Sequence, residues 1–192
     1  MSQAERVLGL DGVIAAAGEG RGIPPVHLWN PSHCGDIDIV IKANGLWFHE
    51  GTPIGREGLV RLFASVLRKD PDGFHLVTPV EKLKIQVEDA PFIAIRLDAG
   101  TNARGDAVLT FTTNVGDEVE AGPDNPIRVD MAADGEPRPY VHVRRGLEAL
   151  IVRPVFYELI ELAERRETQA RSVMAVRSGG AWFEVGPADD GD

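Results

Sequence analysis

The stretch Asp36-Ile37-Asp38-Ile39-Val40-Ile41-Lys42-Ala43-Asn44-Gly45-Leu46-Trp47-Phe48-His49 decides how this chain is read. Its first half alternates polar with β-branched residues, the period-2 pattern of a strand with one buried face. Asn44-Gly45 then offers the two φ > 0 positions of a type I′ turn, so the pattern predicts a tight hairpin. With a two-residue turn Lys42 stands opposite Trp47. Asp36, Asp38, Val40, Lys42, Trp47 and His49 then share one face, and Ile37, Ile39 and Ile41 the other. A cation would lie against an indole there, an arrangement worth about 0.5–1 kcal/mol when exposed.

Residues 174–186, Met-Ala-Val-Arg-Ser-Gly-Gly-Ala-Trp-Phe-Glu-Val-Gly, repeat the type of residues 39–51 and predict a second hairpin, with Arg177 opposite Trp182. A third is centred on Asp134-Gly135. Two hits at one offset are too few for a solenoid and point to a duplicated supersecondary unit. Between the hairpins lie helical patterns. Val7, Leu8, Leu10, Val13 and Ile14 fit a helix over 2–18, interrupted by glycines. Leu59, Val60, Leu62, Phe63, Val66 and Leu67 form one apolar face before Asp70-Pro71-Asp72-Gly73. Pro154 opens a third helix over 154–167. Strands are expected at 82–87, 92–97, 107–113, 127–132 and 140–143. The fold class is α+β, mainly antiparallel strands and hairpins with about three helices and a duplicated hairpin and helix motif. The period change near residue 75 suggests an N-terminal part, 1–75, a strand-rich part with a closing helix, 76–186, and an acidic tail, 187–192.

The 192 residues include 20 Lys and Arg against 30 Asp and Glu, a formal charge of −10, with 43% hydrophobic residues. A chain of this length and composition can bury a core and is not wholly disordered. Its net negative charge argues against broad adhesion to nucleic acid or anionic membrane. The longest apolar runs fall far short of the roughly 20 residues that cross a bilayer, so no membrane insertion is expected. The start lacks the pattern of a secretory signal, and the lone Cys34 suits a reducing compartment; a cytoplasmic location is the expectation.

The run His33-Cys34-Gly35-Asp36-Ile37-Asp38-Ile39, with Gly51-Thr52-Pro53-Ile54-Gly55-Arg56, Arg68-Lys69-Asp70-Pro71-Asp72-Gly73 and Val87-Glu88-Asp89-Ala90-Pro91-Phe92, resembles a bacterial family, domain-of-unknown-function family twelve-eighty-five. The similarity covers most of residues 25–165. It implies a two-part α+β protein with repeated motifs and a C-terminal part like a pleckstrin-homology fold. It also implies a signalling or regulatory role with a ligand between the parts, and it brings no catalytic residues to carry over.

Several constellations carry chemistry. Asp36 and Asp38 are two apart on a strand, as the paired carboxylates of metal-dependent nucleotidyltransferases are, though the usual upstream Gly-Ser element is missing. Cys34 lacks a well-placed base, because His33 points the other way on an extended chain. The five histidines show no zinc spacing. Arg56, at a helix entry after Gly51 and Gly55, could meet an anion. Arg138, His142, Arg144, Arg145 and Arg153, with Tyr140, form the one basic concentration and could receive an acidic peptide, a phosphate or single-stranded nucleic acid. The alternative is that Arg144 and Arg145 pair with the acidic 98–124 loops.

The sequence thus favours a non-enzymatic binding or regulatory module. Its protein or nucleic-acid ligand would be lined by Asp36, Asp38, Lys42, Trp47, His49, Arg56, Arg144, Arg145 and Trp182, with no cofactor. The rival reading is a metal-dependent phosphoryl or nucleotidyl transferase centred on Asp36 and Asp38. A third is self-association into a homo-oligomer.

Overall fold

The computed structural model describes residues 9–17 and 22–188. The outer parts of the expected helix over 2–18, and residues 189–192 of the expected tail, lie outside them. The chain divides between Asp89 and Ala90 into two compact units. The first holds α1 (Leu10–Ala17), a single 3₁₀ turn (Val26–Leu28), β1 (His33–Ile41), β2 (Trp47–His49), β3 (Thr52–Pro53), α2 (Glu57–Ser65), β4 (Leu67–Asp70), β5 (Gly73–Val77) and β6 (Glu81–Val87). The second holds β7 (Phe92–Thr101), β8 (Ala107–Thr113), β9 (Glu118–Glu120), β10 (Ile127–Met131), β11 (Pro137–Arg144), β12 (Leu147–Ile151), α3 (Arg153–Glu161), β13 (Glu164–Glu167), β14 (Ser172–Ser178) and β15 (Ala181–Pro187).

Each unit is built on a six-stranded sheet made the same way. Two three-stranded antiparallel meanders are joined through a parallel pairing of the first strand of one with the last strand of the other. The orders are β3-β2-β1-β6-β5-β4 and β10-β11-β12-β7-β8-β9, with β1 parallel to β6 and β12 parallel to β7. The helix falls between the meanders in the first unit, as α2, and after them in the second, as α3. The α+β class and the duplication expected from the sequence are therefore present. The duplicated object is the whole sheet rather than the 39–51 and 174–186 pair, since β14 and β15 belong to a separate three-stranded sheet, β13-β14-β15. Residue 75 falls inside β5, after α2 has already given way to β4, and β6 is hydrogen-bonded to β1 and β5 within the first unit.

The first hairpin departs from expectation at its turn. Lys42 N–H donates to Leu46 O, and Gly45 N–H to Lys42 O. Only Gly45, at φ +81°, is left-handed. That is a three-residue loop, a type I turn closed by a glycine bulge, and not the two-residue type I′ turn. The same loop recurs at 102–106, 113–117 and 132–136, closed by Gly105, Gly116 and Gly135. The extra residue pairs Ile41 with Trp47 and Ile39 with His49. A slip of one residue moves side chains to the other face, so Trp47 joins Ile39 and Ile41 in the core and leaves Lys42 outside. The Gly179-Gly180 turn is of the two-residue kind, with φ +56° and +81°, and there Arg177 does face Trp182.

Both expected long helices stop early and continue as strands. α2 ends at Ser65 because Asp70-Pro71-Asp72-Gly73 turns the chain, so that Leu67 can pair with Leu76 in the ladder. α3 ends at Glu161, and Glu164–Glu167 pairs with β14. Val66 and Leu67 remain buried, so the apolar run continues through a change of conformation.

The core of the first unit is built from Ile39, Ile41, Trp47, Phe63, Leu76 and Leu83; that of the second from Phe92, Phe111, Val141, Leu147, Ile151 and Leu159. The β14–β15 hairpin is seated on the second sheet by Ser178, fully buried, whose hydroxyl donates to Ala121 O at 2.7 Å and accepts from Leu109 N–H at 2.8 Å. Among the described residues, no helix is long and apolar enough to cross a membrane.

Candidate functional site

The nine residues singled out in the sequence do not form one lining. Trp47 is 2% exposed, and its indole stacks on Phe63 at 6.3 Å between ring centroids. Lys42 pairs instead with Glu88 at 2.7 Å and lies over Phe48 at 5.9 Å. Glu88 is held below the ordinary carboxyl range by that lysine and by the Ala43 N–H. His49 follows Trp47 to the isoleucine face. Arg56 is exposed just before α2, where its carbonyl receives the Leu59 and Val60 N–H groups; Glu57 occupies the first helical turn. Arg144 is packed over Phe92 at 5.0 Å and paired with Asp117, a residue of the acidic 98–124 stretch. Arg145, at φ +47°, forms a two-residue turn with Gly146. The cation over Trp182 is Arg166 of β13, at 4.0 Å, and not Arg177.

Asp36 alone among the nine enters a charged constellation. In the parallel pairing of β1 with β6, Cys34 stands beside Lys82 and Asp36 beside Lys84, while His75 of β5 stands across from Lys84. Paired residues share a sheet face, so these groups gather on the face turned away from Leu83 and Ile85. They line a cavity of about 260 Å³ together with Asp72. Asp38 lies beyond the register irregularity that follows Asp36 and does not line it.

Joined to it through Asp72, His75 and Lys82 is a network that sequence reading missed. Arg68 Nε is 2.9 Å from Asp70 Oδ1, and its Nη2 donates to Asp70 Oδ2 at 2.9 Å. The same guanidinium donates to Val26 O and Trp29 O, tying the 3₁₀ turn down over β4. Lys82 Nζ is 2.6 Å from Asp70 Oδ2 and 3.7 Å from Asp72 Oδ1. His75 is 2% exposed, with Nδ1 3.6 Å from Asp70 and Nε2 3.3 Å from Asp72. Burial, helped by Lys82, pushes the His75 imidazole below its ordinary value. Burial alone would raise the Asp70 carboxyl, but the hydrogen bonds from Arg68 and Lys82 outweigh it and hold it low. Among the described residues, Asp70, Asp72 and His75 bring one potential ligand atom each within 4.8 Å of the others. The legible signal was Asp-x-Asp-x-x-His across a Pro-Asp-Gly turn, which matches no zinc spacing and reads first as a helix stop.

The second unit carries a larger groove of about 610 Å³ between the β10–β11 hairpin and the first turns of α3. Pro137 and Pro139 line one side, Phe156 and Tyr157 the other, with Leu150 and Ile151 of β12 between. Ile151 and Phe156 are buried, and Tyr157 is 58% exposed. At the rim Arg153 and Glu136 pair at 2.8 Å, linking α3 to the hairpin. Arg138 and Arg153 thus bring two members of the basic concentration to one groove.

A family model described as "Domain of unknown function (DUF1285), N-terminal domain" matches residues 24–90, and one described as "Protein of unknown function (DUF1285), C-terminal domain" matches 91–185. The chain belongs to the DUF1285 family. The junction of the two models falls within one residue of the division between the compact units. A DUF1285 family protein from Silicibacter pomeroyi DSS-3 is 48% identical, with a TM-score of 0.83 over 93% of this chain and 97% of that one. Another from Shewanella baltica OS155 is 28% identical, with a TM-score of 0.50 over 64% of this chain and 90% of that one. No curated protein matches the chain.

Proposed function

We propose that this DUF1285 chain is a non-enzymatic binding or regulatory module whose ligand seat is the groove between β11 and α3 of the second unit. One observation carries the reading: about 610 Å³ of mostly apolar space with a few charged groups at its rim. Small-ligand sites have this size and this mixture, an apolar body for affinity and sparse polar groups for orientation. The lining contains no serine, cysteine, histidine or lysine. Its acids are engaged in structure: Glu136 with Arg153, and Asp134 accepting from the Glu136 N–H. Such a site selects an amphipathic ligand and holds it.

The test is fluorescence titration with 8-anilinonaphthalene-1-sulfonate, an apolar anion suited to the groove and its arginines. Tyr157→Asp should weaken dye binding at least tenfold without shifting thermal unfolding, because Tyr157 is exposed and outside the core. Equal dye binding by the variant would reject the groove as the seat.

A further inference from the structure

In the first unit, apart from the proposed ligand groove, we infer that Asp70, Asp72 and His75 form a site for a first-row transition-metal dication, with Lys82 as a built-in competitor. The β4–β5 hairpin delivers all three residues to one point. Asp70 ends β4, Pro71-Asp72 makes the turn, and Gly73, at φ +127°, opens β5 two residues before His75. One ligand atom from each lies within 4.8 Å of the others. The site does not rest on the carboxylates alone. His75 is almost completely enclosed, yet its Nδ1 makes no hydrogen bond while facing Asp70 Oδ2. A buried imidazole nitrogen normally has a partner, and a metal ion supplies one without needing a proton.

The place of a cation among these groups is already marked by the Lys82 ammonium, which bridges Asp70 and Asp72. Lysine is a flexible point charge, and the adjoining cavity, lined by Cys34, Asp36 and Lys84, gives its stem room to withdraw. Arg68 cannot leave in the same way, since Val26 O and Trp29 O hold it. It remains as the outer partner that orients the Asp70 carboxylate, the role such groups take around ligating carboxylates. One imidazole with two carboxylates suits Zn²⁺ or Mn²⁺; the imidazole disfavours Mg²⁺ and Ca²⁺, which prefer all-oxygen sets.

Isothermal titration of the chelator-treated full chain with Zn²⁺ and with Mn²⁺ tests this. Removing the competitor, Lys82→Gln, should tighten one-to-one binding at least tenfold over wild type for one of the two ions. Adding Asp72→Asn to Lys82→Gln should lose at least that gain. Asp72 is largely exposed, so this variant is expected to fold, and circular dichroism checks that it does. The site stands if both changes occur and survive in a Cys34→Ser background. It falls if Lys82→Gln brings no gain, if Asp72→Asn leaves the gain intact, or if the gain vanishes with Cys34→Ser, which would move the ion to the thiol.

Discussion

Trp47 lies directly across the β1–β2 ladder from Ile41, and its indole is sandwiched into the first core against Phe63 rather than laid against Lys42. The side chain that looked most like a ligand platform is therefore a packing residue. Trp47→Ala should cost about 3–5 kcal/mol, the range for deleting a large buried aromatic. Lys42→Ala, which removes a half-exposed ion pair and an ammonium over the Phe48 ring, should cost far less. Urea denaturation followed by circular dichroism separates them. Similar midpoints for the two variants would show that the indole is not in the core.

The carboxyl of Glu88 should titrate below the ordinary glutamate range, held down first by the Lys42 ammonium and then by the Ala43 N–H. A depressed folded value means the unfolded chain binds its proton first. The contribution is thus complete above the ordinary value near pH 4.5 and fades as pH falls through the folded one. Lys42→Met should move the titration upward. Carboxyl-detected NMR titration reads this directly, and an unshifted Glu88 in wild type would dissolve the pairing.

At the tip of the β14–β15 hairpin, a Cβ on Gly179 would meet Ala121 O at 3.0 Å and Gly122 Cα at 3.1 Å, both backbone, and φ there is +56°. Gly180 is also left-handed, yet a Cβ would meet nothing within 4 Å. Gly179→Ala should cost about 1–3 kcal/mol or more, combining strain with a clash, and Gly180→Ala clearly less. Comparing chemical denaturation midpoints tests whether the tip truly docks between Ala121 and Gly122; equal losses would mean that it does not.

Arg144 and Asp117 should couple. Both are mostly shielded from water, and the guanidinium also covers Phe92. A double-mutant cycle with Arg144→Met and Asp117→Asn should give an interaction on the order of 1–2 kcal/mol, beyond what exposed pairs give. Additive losses would mean Arg144 is available to a partner after all.

Much of this was legible from the residues in order. The alternation of 36–41, 82–87 and 107–113 marked strands, the Gly-closed turns marked hairpins, and the family pattern marked a two-part α+β chain. Local chemistry is enough for these because period and turn residues act over a few positions. It did not set the loop length at Asn44-Gly45, since a dipeptide that suits a two-residue turn also closes a three-residue one. That single residue decided which side of the ladder Trp47 and His49 occupy. Nor could apolar periodicity end the helices at Ser65 and Glu161, because Val66 and Leu67 bury equally well as helix or as strand.

The sequence by itself determined most element types and the positions of the hairpins, for these follow from interactions between near neighbours. Only the tertiary structure decided which charges meet. Asp70 and Asp72 come together with Lys82 because β4, β5 and β6 are successive strands of one sheet, and Arg138 and Tyr157 reach one groove because β11 pairs with β12, the strand that leads into α3. Contacts between residues distant in the chain depend on strand order and register, and no local pattern encodes either one.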